Sequence, residues 1–307
     1  MKNFYYQENE CERIFAGLGE SFHIYTPENF EIIFTSNDDF ITGMNIIAVC
    51  TKLSDNVKLL TFEIMTNHIH LTVSSSKQDA QDYFELIKMF LSRSFKSRSR
   101  TIDWSKFVAN PRRINSLDDL RNVIIYNNRN GFVANPLWTP FSYPWGANKY
   151  YFNNDAKQLS LIGAKPFSLR GLREITHSRL ADSVSDLLSC NGCAVPLSFC
   201  DIENGEKLFR SPAQYFFMLG KNIEKQKNIS KEIGESMFCN DDELYSSILS
   251  ITLTKFSTGP ADIPNVEKIE LAKIMHNDYH ASNKQISRIL KLDIVVVDRL
   301  FPPLFKL

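Results

Sequence analysis

The sequence predicts an α+β fold, an antiparallel sheet with helices on one face, followed by a mostly helical C-terminal domain. Three observations carry that expectation. Two strand-like runs, Val57 to Met65 and His68 to Val73, are separated only by Thr66-Asn67. Two patterns with helical periodicity, Asn37 to Leu53 and Gln78 to Phe95, lie before and after them. From Asp155 onward the pattern is mostly helical. Strands first, with helices crossing between them, is the layout of an α+β layer structure.

Taken in order, residues 1–20 form a leader segment with no clear period, consistent with a short helix. Phe22-His23-Ile24-Tyr25-Thr26 alternates and is rich in strand formers, and Pro27 stops it. Glu31 to Thr35 reads as a second short strand or its approach. Ser36 or Asn37 can cap the first long helix, in which Phe40, Ile41, Met44, Ile47 and Ala48 recur at three and four. The Gln78 helix carries Phe84, Ile87, Leu91 and Phe95 on one stripe, with Lys88, Arg93 and Lys96 off it. Ser116 can cap a third helix from Leu117 to about Arg129, ended by Asn130-Gly131. The aromatic, turn-rich segment Pro136 to Tyr151 closes a first domain over 21–152, and 153–307 reads as a second, helical domain. There, Leu161 to Leu188 and Ser211 to Lys225 read as helices. Val266 to Tyr279, Asn283 to Lys291 and Ile294 to Phe301 follow as a helix series, with Ser282 as a cap and Ile286, Ile289, Leu290 and Val296 facing inward.

The chain has 307 residues and is 43% hydrophobic, enough to bury a normal core. No apolar stretch is long enough to span a bilayer, and the opening residues carry no apolar run after a basic patch. The expectation is a cytoplasmic protein with no membrane partner, a monomer or homodimer. Lys plus Arg and Asp plus Glu balance at 35 each, which argues mildly against a nucleic-acid binder. Their distribution argues the other way. Lys88, Arg93, Lys96, Arg98, Arg100, Lys106, Arg112 and Arg113 face a single acid, Asp103, over that stretch. One basic flank can still guide a polyanion to one site. The six cysteines are scattered and read as free thiols. Cys190 and Cys193 form a C-x-x-C, but no second C-x-x-C or H-x-H nearby completes a zinc site, and buried thiols beside a turn at Asn191-Gly192 are the plainer reading.

His68-Ile69-His70 carries the main chemical signal. Residues two apart on a strand point to the same face, so the two imidazoles project together while Ile69 and Leu71 point into the core. That pattern fits either a solvated sheet face or chelation of one divalent ion. Tyr126 and Asn130, four apart, lie on one face of the third helix. They offer a phenolate and an amide oxygen, and Glu63, well upstream of the pair, is a further candidate ligand. A metal, an in-line nucleophile and a third ligand are the parts of a phosphoryl-transfer site.

Met65-Thr66-Asn67-His68-Ile69-His70-Leu71 resembles the M-P-N-H-x-H-L signature of the REP-associated tyrosine transposases, part of the single-tyrosine HUH transposase family. Tyr126-Asn127-Asn128-Arg129-Asn130-Gly131 resembles their Y-I-H-x-N-P, and Tyr143-Pro144-Trp145 their Y-P-W-S-S. The motifs stand in family order over roughly residues 20–152. Thr66 and Gly131 replace prolines, and Gly146-Ala147 replaces the two serines. The resemblance implies a ferredoxin-like domain with the histidines on a central strand and Tyr126 as nucleophile. It also implies that His68, His70 and Asn130 are ligands of Mg²⁺ or Mn²⁺. The implied reaction is cleavage and rejoining of single-stranded or hairpin DNA through a covalent 5′-phosphotyrosine. Two other readings stay open: a relaxase or replication initiator with the same centre, and a non-catalytic DNA-binding regulator derived from a transposase.

In that setting Lys88, Arg93, Lys96, Arg98, Arg100, Arg112 and Arg113 would track phosphates, and Trp104, Phe107, Trp138 or Tyr143 would stack on unpaired bases, unless these aromatics are core. The C-terminal helices resemble a helix-turn-helix unit over 266–301, in which Lys284, Gln285 and Arg288 would face DNA and Asp293, Asp298 and Arg299 flank the reading helix. A plain three-helix bundle is the alternative.

Overall fold

The computed structural model describes residues 6–27, 30–133, 138–139, 141–221, 241–277 and 281–302. The chain folds as two compact units, residues 1–131 with 139–223, and residues 132–138 with 224–307. Among the described residues no helix is long and apolar enough to cross a membrane.

The first unit opens with α1 (Glu8–Leu18), then β1 (Ser21–Tyr25), α2 (Asn37–Leu53), β2 (Lys58–Ile64), β3 (Ile69–Ser74), α3 (Lys77–Ser97), β4 (Arg112–Ile114) and α4 (Leu117–Val133). The four strands form one sheet in the order β2-β3-β1-β4, every neighbouring pair antiparallel. The register aligns Phe62, Leu71 and Ile24 across the sheet, with Ile64 beside Ile69 and Phe22 beside Val73. These apolar residues share one face. The alternate residues, His23, Tyr25, Thr61, Glu63, His70 and Thr72, share the other.

Helices α2 and α3 cover the apolar face. A side chain at Gly43 of α2 would run into Phe34 and Ile64, and Tyr83 of α3 shares a 2.7 Å hydrogen bond with Thr51 of α2. Ser36 caps α2 by accepting from the Asp39 amide, as its position before the apolar pattern predicts. Helix α4 lies on the opposite, polar face. There Asn127 Nδ2 donates to Thr72 Oγ1 at 2.7 Å, and Thr61 Oγ1 donates to Asn128 Oδ1. Helices therefore sit on both faces, not on one as expected. The polar face needs a polar cover, and the Asn127-Asn128 stripe of α4 supplies it.

Three local expectations are corrected. Glu31 to Thr35 is not a strand. The amides of Ile33 and Phe34 instead donate to the Thr66 carbonyl, at 2.9 and 2.8 Å. Arg112–Ile114, read only as part of a basic flank, is the edge strand β4. Asn130-Gly131 does not end the third helix, which continues to Val133.

Residues 139–223 belong to the first unit, so the boundary expected at 153 falls near 223. The reason is that later residues supply partners to the first elements: Asn45 Nδ2 donates to the Gly192 carbonyl (2.8 Å), Arg121 Nε to the Leu208 carbonyl (2.7 Å) and Asn128 Nδ2 to the Tyr215 hydroxyl (2.8 Å), and the free edge of β2 is covered too. The Ile64 amide donates to the Trp145 carbonyl (2.9 Å), and the amides of Ala147 and Asp201 donate to the carbonyls of Phe62 (3.1 Å) and Leu59 (2.7 Å). An exposed edge strand is thereby covered by the chain's own later segments. The helix expected over 161–188 is replaced by α5 (Asn154–Leu161), β5 (Lys165–Pro166), α6 (Leu169–Thr176), β6 (Leu188–Cys190) and β7 (Cys193–Ala194), with the strands in a small antiparallel sheet β5-β6-β7. Gly163 at φ 74° and Pro166 interrupt the helical pattern. Two helices follow, α7 (Ile202–Lys207) and α8 (Pro212–Lys221); the rest of the helix expected to Lys225 lies outside the described residues.

The second unit contains α9 (Asp241–Phe256), α10 (Asn265–Asn277), α11 (Asn283–Leu290) and α12 (Ile294–Leu300). Their core gathers Leu244, Ile248, Leu271, Met275, Ile286, Ile289, Leu290 and Val297. Ser282 caps α11 as read from the sequence, and Gln285 closes the capping box by accepting from the Ser282 amide at 3.0 Å. Val296, expected inward, is 43% exposed, and Val297 is buried in its place. Asp293 caps α12 and sets the helix phase one residue away from the one assumed. The expected end of the preceding helix, at Tyr279, lies outside the described residues.

Candidate functional site

The polar face of the sheet and the facing side of α4 enclose a cluster of three imidazoles, a phenol and a carboxyl. His70 sits in β3, the second strand of the sheet, with Tyr25 opposite it on one side and Glu63 on the other. His68 immediately precedes β3, and its carbonyl accepts from the Met65 amide at 2.9 Å, closing the turn between β2 and β3. Tyr126 projects from α4. Its ring centre lies 5.5 Å from that of His70 and 6.0 Å from that of His23, edge-on to both. His68 and His70 stand 4.9 Å apart and perpendicular. His23 stacks on His70 at 5.5 Å. Strand and helix, distant in sequence, thus bring Tyr126 against His70, which in turn stands beside His68. Asn130 is half-buried one helical turn beyond Tyr126.

Burial dominates the electrostatics here. It pushes the His68 imidazole down to about 4. His70 is held well below the usual histidine range, first by burial and then by its two imidazole neighbours. His23 falls to about 3, through burial and the nearby Arg112 guanidinium, with Asn127 pulling the other way. All three are neutral at neutral pH, the form in which imidazole ligates metals or accepts a proton. Glu63 moves upward, well above the carboxylate range, because burial outweighs the nearby Gly131 amide.

The cluster is also short of partners. Among the described residues, both ring nitrogens of His70 are buried without a hydrogen bond, and His23 and the Glu63 carboxyl have Asn127 and the Gly131 amide close by, neither in good hydrogen-bond geometry. Buried polar groups are nearly always satisfied, and each orphan costs on the order of 1–3 kcal/mol. The Glu63 carboxyl is walled in by two glycines. A β-carbon at Gly131 would overlap the carboxyl and the Tyr143 ring, and one at Gly146 would overlap the carboxyl. These are two of the positions at which the motifs depart from the family pattern.

The cluster offers two neighbouring neutral imidazoles, His68 and His70, as candidate ligands. His68 Nδ1 lies 2.8 Å from Asn67 Oδ1, a bond that leaves Nε2 with its lone pair. His70 has both nitrogens unpartnered. Among the described residues no group of three or more His, Cys, Asp and Glu side chains is disposed to hold a metal. A set here would be the two imidazoles completed by the Asn130 amide.

Most side chains of the basic flank have acidic neighbours. Six of its eight side chains are in ion pairs: Lys88 with Glu85, Arg98 and Arg100 with Asp39, Lys106 with Asp103, Arg112 with Asp119, and Arg113 with Glu20. Lys88, Arg93 and Lys96 ride on α3, across the sheet from Tyr126; Arg93 and Lys96 are exposed. Only Arg112, paired in register with His23, comes near the cluster. Phe107 is fully buried among Phe30, Phe84 and Trp104, and Tyr143 is buried with its hydroxyl donating to the Ile64 carbonyl at 2.6 Å. These rings are core, whereas Trp138 is exposed. In the second unit Lys284 and Arg288 are exposed, but Gln285 is buried in its capping box. On α12 the exposed side carries Ile294, Val295 and Val296 together with Asp298 and Arg299.

Sequence reasoning missed His23. Its alternation with Phe22 and Ile24 placed it on a polar face, but only strand pairing reveals that the face is shared with His70. Asn127 and Asn128 were missed as well, because their role is to cap the sheet's polar face.

Compared with known families, the chain matches no family model, and it matches no solved structure. A stretch of 70 residues, 23% of this chain, is 46% identical to part of a cysteine–tRNA ligase of Neorickettsia sennetsu (strain ATCC VR-367 / Miyayama), where it spans 13% of that protein.

Proposed function

We propose that this chain is a metal-dependent enzyme of the single-tyrosine HUH transposase type, cutting and rejoining single-stranded or hairpin DNA through Tyr126. The observation that carries the reading is the packing of the Tyr126 ring against His70 and His23, with His70 and His68 neutral and adjacent. The element order β1-α2-β2-β3-α3-β4 with spatial order β2-β3-β1-β4 supports it, being compatible with the ferredoxin-like domain the motifs imply. The short match to the tRNA ligase carries no activity to this chain.

His68, His70 and Asn130 would hold Mg²⁺ or Mn²⁺, which when bound polarises the scissile phosphate and offsets charge in the transition state. The Tyr126 oxygen attacks phosphorus in line, forming a phosphotyrosine and releasing a 3′-hydroxyl. A free phenol has a pKa near about 10, so its proton needs an acceptor. That acceptor is a nearby base or, with the metal bound, the phenolate is stabilised directly; His23, edge-on to the ring at 6.0 Å and with its pKa pushed down to about 3, is too weak a base for the role. Because the phosphodiester energy is kept in the tyrosyl ester, attack by a 3′-hydroxyl rejoins a strand without ATP.

One observation favours a second reading. Tyr126 is 5% exposed and His70 fully buried, as would suit a chain that kept the fold and binds DNA without cutting it. Incubation with hairpin oligonucleotides and Mn²⁺, followed by denaturing electrophoresis, separates the two. The enzyme forms a covalent protein–DNA adduct, and Tyr126→Phe loses it while retaining DNA binding. An adduct that survives in Tyr126→Phe refutes the nucleophile; DNA binding without an adduct in the wild type favours the regulator.

A further inference from the structure

The C-x-x-C motif has no part in that chemistry, yet the fold has built it into a defined place. Strands β6 and β7 are joined by Asn191 and Gly192 alone, both with left-handed backbone (φ 51° and 80°). That is the signature of a two-residue type I′ hairpin. The register sets Cys190 directly opposite Cys193. Opposed residues of an antiparallel pair lie about 4.5–5.5 Å apart at Cα, within the roughly 4.4–6.8 Å that a disulfide spans. Both side chains leave the same face of the hairpin.

The hairpin is clamped. Asn45 of α2 donates through Nδ2 to the Gly192 carbonyl at 2.8 Å, and its Oδ1 accepts from the Ala194 amide at 2.7 Å. The pairing of the two cysteines is therefore held from outside the turn. Both are half-buried and line a cavity of about 310 Å³, shared with Met44, Trp145, Lys149 and Tyr150. Cys11, Cys50 and Cys200 are buried instead. Among the described residues no third His, Cys, Asp or Glu joins the pair to make a metal site.

We propose that Cys190 and Cys193 are a preorganised dithiol site that closes to a disulfide within the hairpin by exchange with a small-molecule disulfide. The Cys190 thiolate attacks one sulfur of RSSR, forming a mixed disulfide and expelling RS⁻, which takes up a proton. The Cys193 thiolate then attacks the Cys190 sulfur and expels the second thiol. The two protein thiols lose two electrons and two protons, and RSSR is reduced to two RSH. Burial pushes the Cys193 thiol up to about 11, against the opposing Lys149 ammonium. Its reaction is the intramolecular one, where proximity to the mixed disulfide offsets a small thiolate fraction.

The test uses the full chain and oxidised glutathione, with acid quench, alkylation after denaturation, and peptide mass mapping. The expected product is a peptide spanning 190–193 that lacks the mass of two hydrogens, resists alkylation, carries no glutathione and reverts with dithiothreitol. Cys193→Ser should instead accumulate a stable glutathione adduct at Cys190. In the wild-type chain the bridge should form faster in the folded protein than in urea. The proposal is overturned if both wild-type thiols stay alkylatable, if adducts persist on Cys190 without a bridge, if the bridge joins another cysteine, or if unfolding leaves the rate unchanged.

Discussion

At the residue scale, the pH dependence of stability follows from the buried histidines. His68 titrates near 6.5 when unfolded and at about 4 when folded, and His23 at about 3. A depressed histidine pKa means that the unfolded chain binds protons first as pH falls. Stability is therefore full above pH 6.5 and declines through the window down to the folded values. The His68 shift alone is worth on the order of 3 kcal/mol at the acid end. Thermal melts from neutral to acid pH should show this decline, and His23→Gln, which cannot titrate, should flatten its slope; an unchanged slope would refute the burial of a neutral imidazole at that position. At this scale the sequence revealed His68, His70 and Tyr126 because their types and spacings are local. The burial of Glu63 depends on what packs over it, which no spacing encodes.

At the element scale, α4 is placed by complementarity with a polar sheet face. The Asn127–Thr72 and Asn128–Thr61 contacts set its rotation. A second chain of bonds runs from Asn128 Nδ2 to the Tyr215 hydroxyl (2.8 Å) and on to Asn148 Oδ1 (2.6 Å). Gly131 lets the last turns of α4 approach Glu63 and Tyr143. Gly131→Ala forces that turn outward. Overpacking of this kind costs about 1–3 kcal/mol, and because Tyr126 rides on the same helix the substitution should lower adduct formation as well. Denaturant titration and the oligonucleotide assay measure the two effects; an alanine variant as stable and as active as wild type would contradict the close packing. Asn-Gly read as a helix stop for a sound local reason, and tertiary contact overrode it.

At the scale of the whole chain, partners supplied by later residues, cover for the β2 edge among them, decide the domain limits. Tyr151 donates its hydroxyl to the Leu60 carbonyl at 2.8 Å, and Asp201 bonds Leu59. A chain ended after residue 152 keeps the motifs but loses Asp201 and the small second sheet. It also loses Gly192, Leu208 and Tyr215, the partners of Asn45, Arg121 and Asn128, and should be protease-sensitive and less stable, whereas one ended after residue 223 should fold and melt cooperatively. Circular dichroism melts and limited proteolysis of the two truncations test this; equal stability of both would restore the boundary at 153. In the second unit the buried positions of α11 were legible from helical spacing, because a single apolar stripe suffices to orient a short capped helix.

What the sequence determined by itself was periodic or local: the strands β1, β2 and β3, the helices α2 and α3, the serine cap of α2, and the coincidence of a histidine pair with a tyrosine downstream. Secondary structure responds to side chains within a few residues, so pattern reading reaches it. Tertiary structure decided the rest. It set α4 against the polar face, drew in His23 and Glu63, spent the basic side chains on nearby acids and folded residues 139–223 back over an exposed edge. The placement of α4 and the cover over the β2 edge satisfy buried polar and backbone groups with partners remote in sequence, and the free energy of such a match belongs to the pair, not to either segment alone.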